Sequence, residues 1–193
     1  MRPGKLSMAS TECRVFAAVG FLCAVIVLTA PGCSESPPER GGEGAGATEI
    51  RRLPLDTLSV VLTRSDVQFD PNVSSDGNGS LRVTASTPMT FRIYEMGPMA
   101  VDDARLIYQA RVRTSDVKGR VYLEMWCHLP GKGALSSRAL ASALTGTTGW
   151  TVLETPFSFQ EGERPENVGL NLVVDGTGTA WIDDIRLLQA PLE

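Results

Sequence analysis

Residues 120–128 alternate without a break. Val121, Leu123, Met125 and Cys127 fall on one side, and Tyr122, Glu124, Trp126 and His128 on the other. Successive side chains of a β-strand point to opposite faces, so such a stretch buries one face and leaves the other. A helix would need its apolar positions every three or four residues. The same alternation appears in Met89–Tyr94, where Met89, Phe91 and Ile93 share a side. It appears again in Arg105–Arg113, through Leu106, Tyr108, Ala110 and Val112. Leu58–Thr63, Ser80–Ala85, Trp150–Phe157, Val168–Val174 and Ala180–Leu188 add further β-type runs between Gly, Pro, Asn and Asp. Ala134–Leu144 has helical spacing but stands among strands, and is read as a strand over Leu135–Leu140 with a turn at Thr145-Gly146. Many short strands bounded by turns specify an all-β domain, a sandwich of two antiparallel sheets over residues 49–193.

The N-terminal residues read differently. Arg2, Lys5 and Arg14 precede an uncharged run, Val15–Ala30, which ends at Pro31-Gly32-Cys33. A basic start, an apolar helical stretch and small residues are the parts of a secretory signal, here residues 1–32. The run falls short of the ~20 residues a spanning helix needs. Ala30-Pro31-Gly32-Cys33 resembles the lipobox of bacterial lipoproteins, which implies a lipid on Cys33. An uncleaved anchor and an ordinary cleaved signal are the alternatives, and all three export the rest of the chain. Residues 33–48 are rich in Pro, Gly, Ser and Glu and hold no large apolar side chain, so they form a flexible tether. The expected location is the bacterial cell envelope, anchored to membrane.

A formal net charge of −4 leaves no basic field for nucleic-acid phosphates, and a single histidine cannot build a multi-His metal site. Cys127 is the one cysteine of the predicted domain, which therefore has no internal disulfide. His128 is its neighbour but points to the other face, so no Cys–His dyad is expected.

The polar side of residues 120–128 is where chemistry is expected. Tyr122, Glu124 and Trp126 lie two residues apart in one row. A sugar ring has an apolar C–H face that lies on an aromatic ring, and hydroxyls that need polar partners. Gln109, Arg111 and Asn171 are candidates to complete such a surface from other strands. The competing reading is that these aromatics merely cover the solvent side of a sheet. Trp150 and Trp181 are expected in core or edge packing. In the sequence Trp181-Ile-Asp-Asp-Ile, Asp183 or Asp184 is a candidate calcium ligand, but adjacent strand residues diverge, so at most one serves a given ion. Glycoside hydrolysis needs two carboxylates across a cleft. Glu124 has no identifiable partner, and no nucleophile or metalloprotease motif occurs, so the chain is read as no enzyme.

Several segments carry a family resemblance. Gly149-Trp150 opens GWTVLETPFSF, and VGLNLVVDGTGTAWIDDIRLL follows. Gly79-Ser80-Leu81-Arg82-Val83 and LIYQARVRTS, within residues 104–115, lie upstream. Together they resemble carbohydrate-binding modules with the galactose-binding-like jelly roll, over roughly residues 55–188. The resemblance implies a jelly roll, sugar binding, and in some members a structural calcium held partly by an Asp of the final strand, here Asp183 or Asp184. The Asn/Gly-Phe-Glu segment typical of that family's first strand is missing. The expected function is non-catalytic polysaccharide binding by an exported, membrane-tethered module. The alternative is a structural or protein-interaction module of the envelope. A small glycan-active enzyme built on Glu124 and His128 is the third reading.

Overall fold

The computed structural model describes residues 46–192. The signal segment, Cys33 and all but the end of the tether lie outside the described residues. Eight strands follow in order: β1 (Thr48–Leu53), β2 (Val67–Asp70), β3 (Ser80–Ala85), β4 (Met89–Met96), β5 (Ala104–Leu129), β6 (Gly133–Arg138), β7 (Leu144–Phe159) and β8 (Asn167–Ala190). Every pairing is antiparallel.

β5 and β8 are the two long strands, and each serves both layers. The first half of β5 pairs with β7 and with the second half of β8, whose other edge carries β1 and β3; β2 then adds to β3. The second half of β5 pairs with β6 and with the first half of β8, whose other edge carries β4. The result is the expected jelly-roll sandwich, with both layers joined through the bends of the long strands. The bends are legible in the backbone. Asp116 and Gly119 in β5 and Gly176 and Gly178 in β8 have positive φ, and the pairing slips between Ser115 and Lys118. The glycines are required by close approach as well. A Cβ on Gly119 would meet the Asp175 carbonyl oxygen at 2.1 Å, and one on Gly176 the Lys118 oxygen at 1.9 Å.

Each bend also resets which residues face inward. In the first half of β5 the buried residues are Leu106, Tyr108, Ala110 and Val112, and in the second half Val121, Leu123, Met125 and Cys127. They meet Phe91 and Ile93 of β4, Leu81 and Val83 of β3, and Leu170, Leu172 and Ile182 of β8 in one core. Each large apolar side chain fully buried there stabilises the fold by about 1.5–3 kcal/mol. A second irregularity, at Asp184 with φ 45°, shifts the inward set of β8 from Ile182 to Ile185.

Three expectations need correction. Leu58–Thr63 is no strand: Leu58–Val60 forms a 3-10 turn, capped by the Thr57 hydroxyl, which accepts from the Ser59 N–H. Only Leu62 and Thr63 then reach β4, donating to the carbonyls of Ile93 and Arg92. The strand expected over Leu135–Leu140 is β6, Gly133–Arg138, and Thr145-Gly146 lies within β7 rather than in a turn. The runs Arg105–Arg113 and Arg120–His128 are one bent strand, as are Val168–Val174 and Ala180–Leu188.

Candidate functional site

An open groove of about 760 Å³ runs over the outer face of the β6–β5–β8–β4 layer. Strand register builds its floor. Arg138 of β6 lies opposite Glu124 of β5, Glu124 opposite Asn171 of β8, and Asn171 opposite Arg92 of β4. One row along, Trp126 lies opposite Gly169. Because Gly169 carries no side chain, the space beside the indole stays open; a Cβ there would sit 3.8 Å from that of Trp126. His128 and Asn167 form the next row and close the line.

Glu124 holds this floor together. It is only 5% exposed. One carboxylate oxygen accepts from Arg138 Nε at 2.7 Å; the other accepts from Trp126 Nε1 at 2.8 Å and from Asn171 Nδ2 at 3.2 Å. The carboxylate in turn raises the pKa of Arg138, through that hydrogen bond first and its charge second. With three donors satisfied, Glu124 orients its neighbours, and the polar role expected for it toward a ligand passes to them. Trp126 is half-buried, with its indole N–H tied down. Both arginines of the groove are paired, Arg92 with Glu95 and Arg138 with Glu124, and His128 Nε2 lies 3.9 Å from Glu166.

Of the six residues expected to bind ligand, the structure brings Glu124, Trp126 and Asn171 into the groove. Tyr122 does not line it. At 9% exposure it is buried and counts with the core. Gln109 and Arg111 lie on the first half of β5, beyond the bend, and so belong to the other layer. Gln109 there bonds Glu154, and Arg111 approaches Asp184 at 3.8 Å. Arg92 and Arg138, spaced on separate strands, complete the floor only through register, which the sequence alone does not fix. Cys127 and His128 diverge as expected, one buried and one exposed. Burial pushes the Cys127 thiol up to about 12.

The paired aspartates also separate. Asp184 is buried beneath three arginines, at 2.7 Å from Arg52 Nε, 3.2 Å from Arg186 and 3.8 Å from Arg111. Asp183 turns the other way, accepting from the N–H groups of Ser75 and Asp184. It meets Asp56 and Asp76, and one carboxylate oxygen from each lies within 4.8 Å of the others. One oxygen of Asp56 is buried without a hydrogen-bond partner. Burial first, then the charges of Asp76 and Asp183, raise the Asp56 pKa. An all-oxygen set with an orphaned carboxylate oxygen fits a hard cation such as Ca²⁺. Asp56, Asp76 and Asp183 would hold it, and Asp184 would not. Asp76 sits in a turn rich in Ser, Asp, Asn and Gly; Asp56 has no sequence signal.

No protein-family model and no curated protein matches the chain. Among solved structures, the CBM22-1 xylan-binding domain from Paenibacillus barcinonensis Xyn10C superposes with a TM-score of 0.55. The match covers 77% of this chain and 98% of that domain at 12% identity. A second, described as the xylan-binding domain from CBM 22, formally x6b domain, gives a TM-score of 0.49 at 13% identity, over 78% of this chain and 99% of its own. A third, a family 16 carbohydrate-binding module, gives 0.49 at 13% identity, over 63% and 84%. The structural neighbours are thus carbohydrate-binding modules, and the likeness establishes the jelly-roll fold.

Proposed function

We propose that the groove binds a glycan chain without transforming it. The observation that carries this reading is Trp126, half-exposed on the groove floor, oriented through its N–H by a carboxylate and flanked by an open space at Gly169. An aromatic face fixed in this way suits the C–H face of a sugar ring. Asn171, Arg92 and Arg138 supply polar groups around it for hydroxyls. Because each arginine of the groove already faces a carboxylate, an uncharged chain suits it best. Turnover has no support: Glu124, the buried acid of the groove, is engaged with three donors. Calcium at Asp56, Asp76 and Asp183 would join the segment before β2, the turn before β3 and the final strand, a structural rather than catalytic role.

The sequence supports export and a lipid at Cys33, with the domain on a short tether. Incorporation of a fatty-acid analogue that persists in Cys33→Ala would refute that part.

Affinity electrophoresis of the full chain on soluble polysaccharides tests the binding. Xylan is the first chain to try, because the neighbour with a TM-score of 0.55 is named as a xylan-binding domain; a β-glucan and a mannan belong beside it. Retardation that falls about tenfold or more in Trp126→Ala is expected, the range of a dominant aromatic contact. Equal retardation of the variant, or none on any neutral polysaccharide, overturns the reading.

A further inference from the structure

The opposite face of the sandwich carries a different chemistry. On the outer side of the layer formed by β2, β3, the second half of β8 and the first half of β5, four residues stand in register. Gln68 pairs with Arg82, Arg82 with Trp181, and Trp181 with Arg113. Neighbouring strands lie about 4.8 Å apart, so the row is about 14 Å long. The guanidinium of Arg113 lies over the Trp181 ring, 5.6 Å from its centroid, and Arg82 bonds the Gln68 side chain.

The carboxylates of this face are engaged with groups other than Arg82 and Arg113, and Asp70 is held by the row's own Trp181. Asp184 is buried and shared by Arg52, Arg111 and Arg186; Glu49 lies 3.8 Å from Arg186; Glu154 accepts from Gln109. Asp70 accepts from Trp181 Nε1 at 3.0 Å, and Arg82 adds its charge to the field on it without a contact. Among the described residues, Arg82 and Arg113 therefore form no ion pair, in a chain whose net charge is −4. Every arginine of the groove is paired; the two that flank Trp181 are not.

We infer that this row is a second binding surface, for an anionic polysaccharide. A planar guanidinium matches a carboxylate or sulfate with two parallel hydrogen bonds, and stacking on the half-buried indole holds that of Arg113 in place. The straight row suits an extended chain bearing repeated acidic groups. Charge complementarity favours such a chain over a bilayer, since the exposed aliphatics of this layer, Ile50 on β1 and Val152 on β7, stand on strands separated by β5 and β8 and form no apolar band for insertion. The inference is independent of the groove: it uses other residues, on the other layer, and a ligand of other charge.

The full chain run through gels containing polygalacturonate or alginate tests it, with Trp126→Ala and the double variant Arg82→Ala/Arg113→Ala beside it. Wild type and Trp126→Ala should be retarded alike at low salt. The double variant should lose about tenfold in affinity, as two exposed charge contacts predict. Retardation should vanish near about 1 M salt, where the screening length is ~3 Å. The double variant should stay folded and melt within a few degrees of wild type, because neither arginine holds a carboxylate and what is lost is the Arg82–Gln68 bond and the Arg113–Trp181 contact at the surface. No retardation by either acidic polymer, or equal retardation of the double variant, overturns the inference. So does arginine-dependent capture by phosphatidylglycerol vesicles without retardation by the acidic polymers, which would make the face a lipid contact. Loss of binding in Trp126→Ala alone would move the acidic chain to the groove and also overturn it.

Discussion

Glu124 separates positioning from contact, and two substitutions distinguish them. In Glu124→Gln the remaining carbonyl oxygen, placed where it serves both Trp126 and Asn171, keeps those two bonds. What is lost is the charge-assisted bond to Arg138, whose side chain is 47% exposed and can turn to water. The cost should therefore be about 1 kcal/mol, well below the ~3–5 kcal/mol of a fully buried pair broken on one side. That is a fall of roughly 2–4 °C in melting temperature for a domain of this size. Glu124→Leu removes all three bonds. It strands the Asn171 amide and the Trp126 N–H, each at about 1–3 kcal/mol, for a total of about 2–6 kcal/mol. Differential scanning calorimetry gives the stabilities and titration with the best-retained neutral glycan gives the affinities. Glu124→Gln should keep affinity within about threefold, whereas Glu124→Leu frees the indole and should lose about tenfold. Abolished binding in Glu124→Gln at unchanged stability would refute the argument, because Glu124 would then touch the ligand itself.

Four further outcomes follow from the same geometry. Gly119→Ala should prevent folding or cost more than ~3 kcal/mol, since its Cβ would enter the Asp175 carbonyl; soluble expression and circular dichroism report it. Calcium at 100 times its dissociation constant should stabilise wild type by about 2.7 kcal/mol, and EDTA should remove the gain. Asp56→Asn should abolish that gain while melting no lower than wild type in EDTA, because it relieves the crowding that raises the Asp56 pKa. On the acid side, Asp70 titrates below the ordinary carboxylate range, chiefly because Trp181 Nε1 donates to it. A lowered folded pKa gives stability that is complete above the unfolded value of ~3.9 and lost as pH falls through the folded one, so Asp70→Asn should flatten the acid limb of a stability–pH curve. Cys127, buried and with its thiol raised to about 12, should react with a thiol reagent only after denaturation.

Alternation within a strand was legible, and it placed the core. Val121, Leu123, Met125 and Cys127, and likewise Phe91 and Ile93, are all fully buried. Period two depends on local backbone geometry alone, so the sequence shows it directly. Lateral order depends on non-local pairing and was not legible. Gln109 and Arg111 share a strand with Trp126 yet sit on the other layer, because residues 116–119 bend that strand. Gly119 announces the bend only if one knows that Asp175 passes within contact of it. Tyr122 failed for a different reason: alternation sets which way a side chain points, not how much of it solvent reaches, and Tyr122 is only 9% exposed. Asp183 and Asp184 were rightly expected to diverge, but Asp56 and Asp76 come from loops far away in sequence, and only the closed sandwich brings them to Asp183.

The way β8 serves both layers has a kinetic consequence. It pairs with β1, β3, β4 and β5, so neither layer is complete until residues 167–190 have been made. A nascent chain ending before β8 lacks the central neighbour of both layers and presents open strand edges instead. Because such long-range pairings form slowly, the domain should fold as one late, cooperative event rather than strand by strand during synthesis. Until then both layers keep open strand edges, the feature by which an unfinished β-domain pairs with other chains.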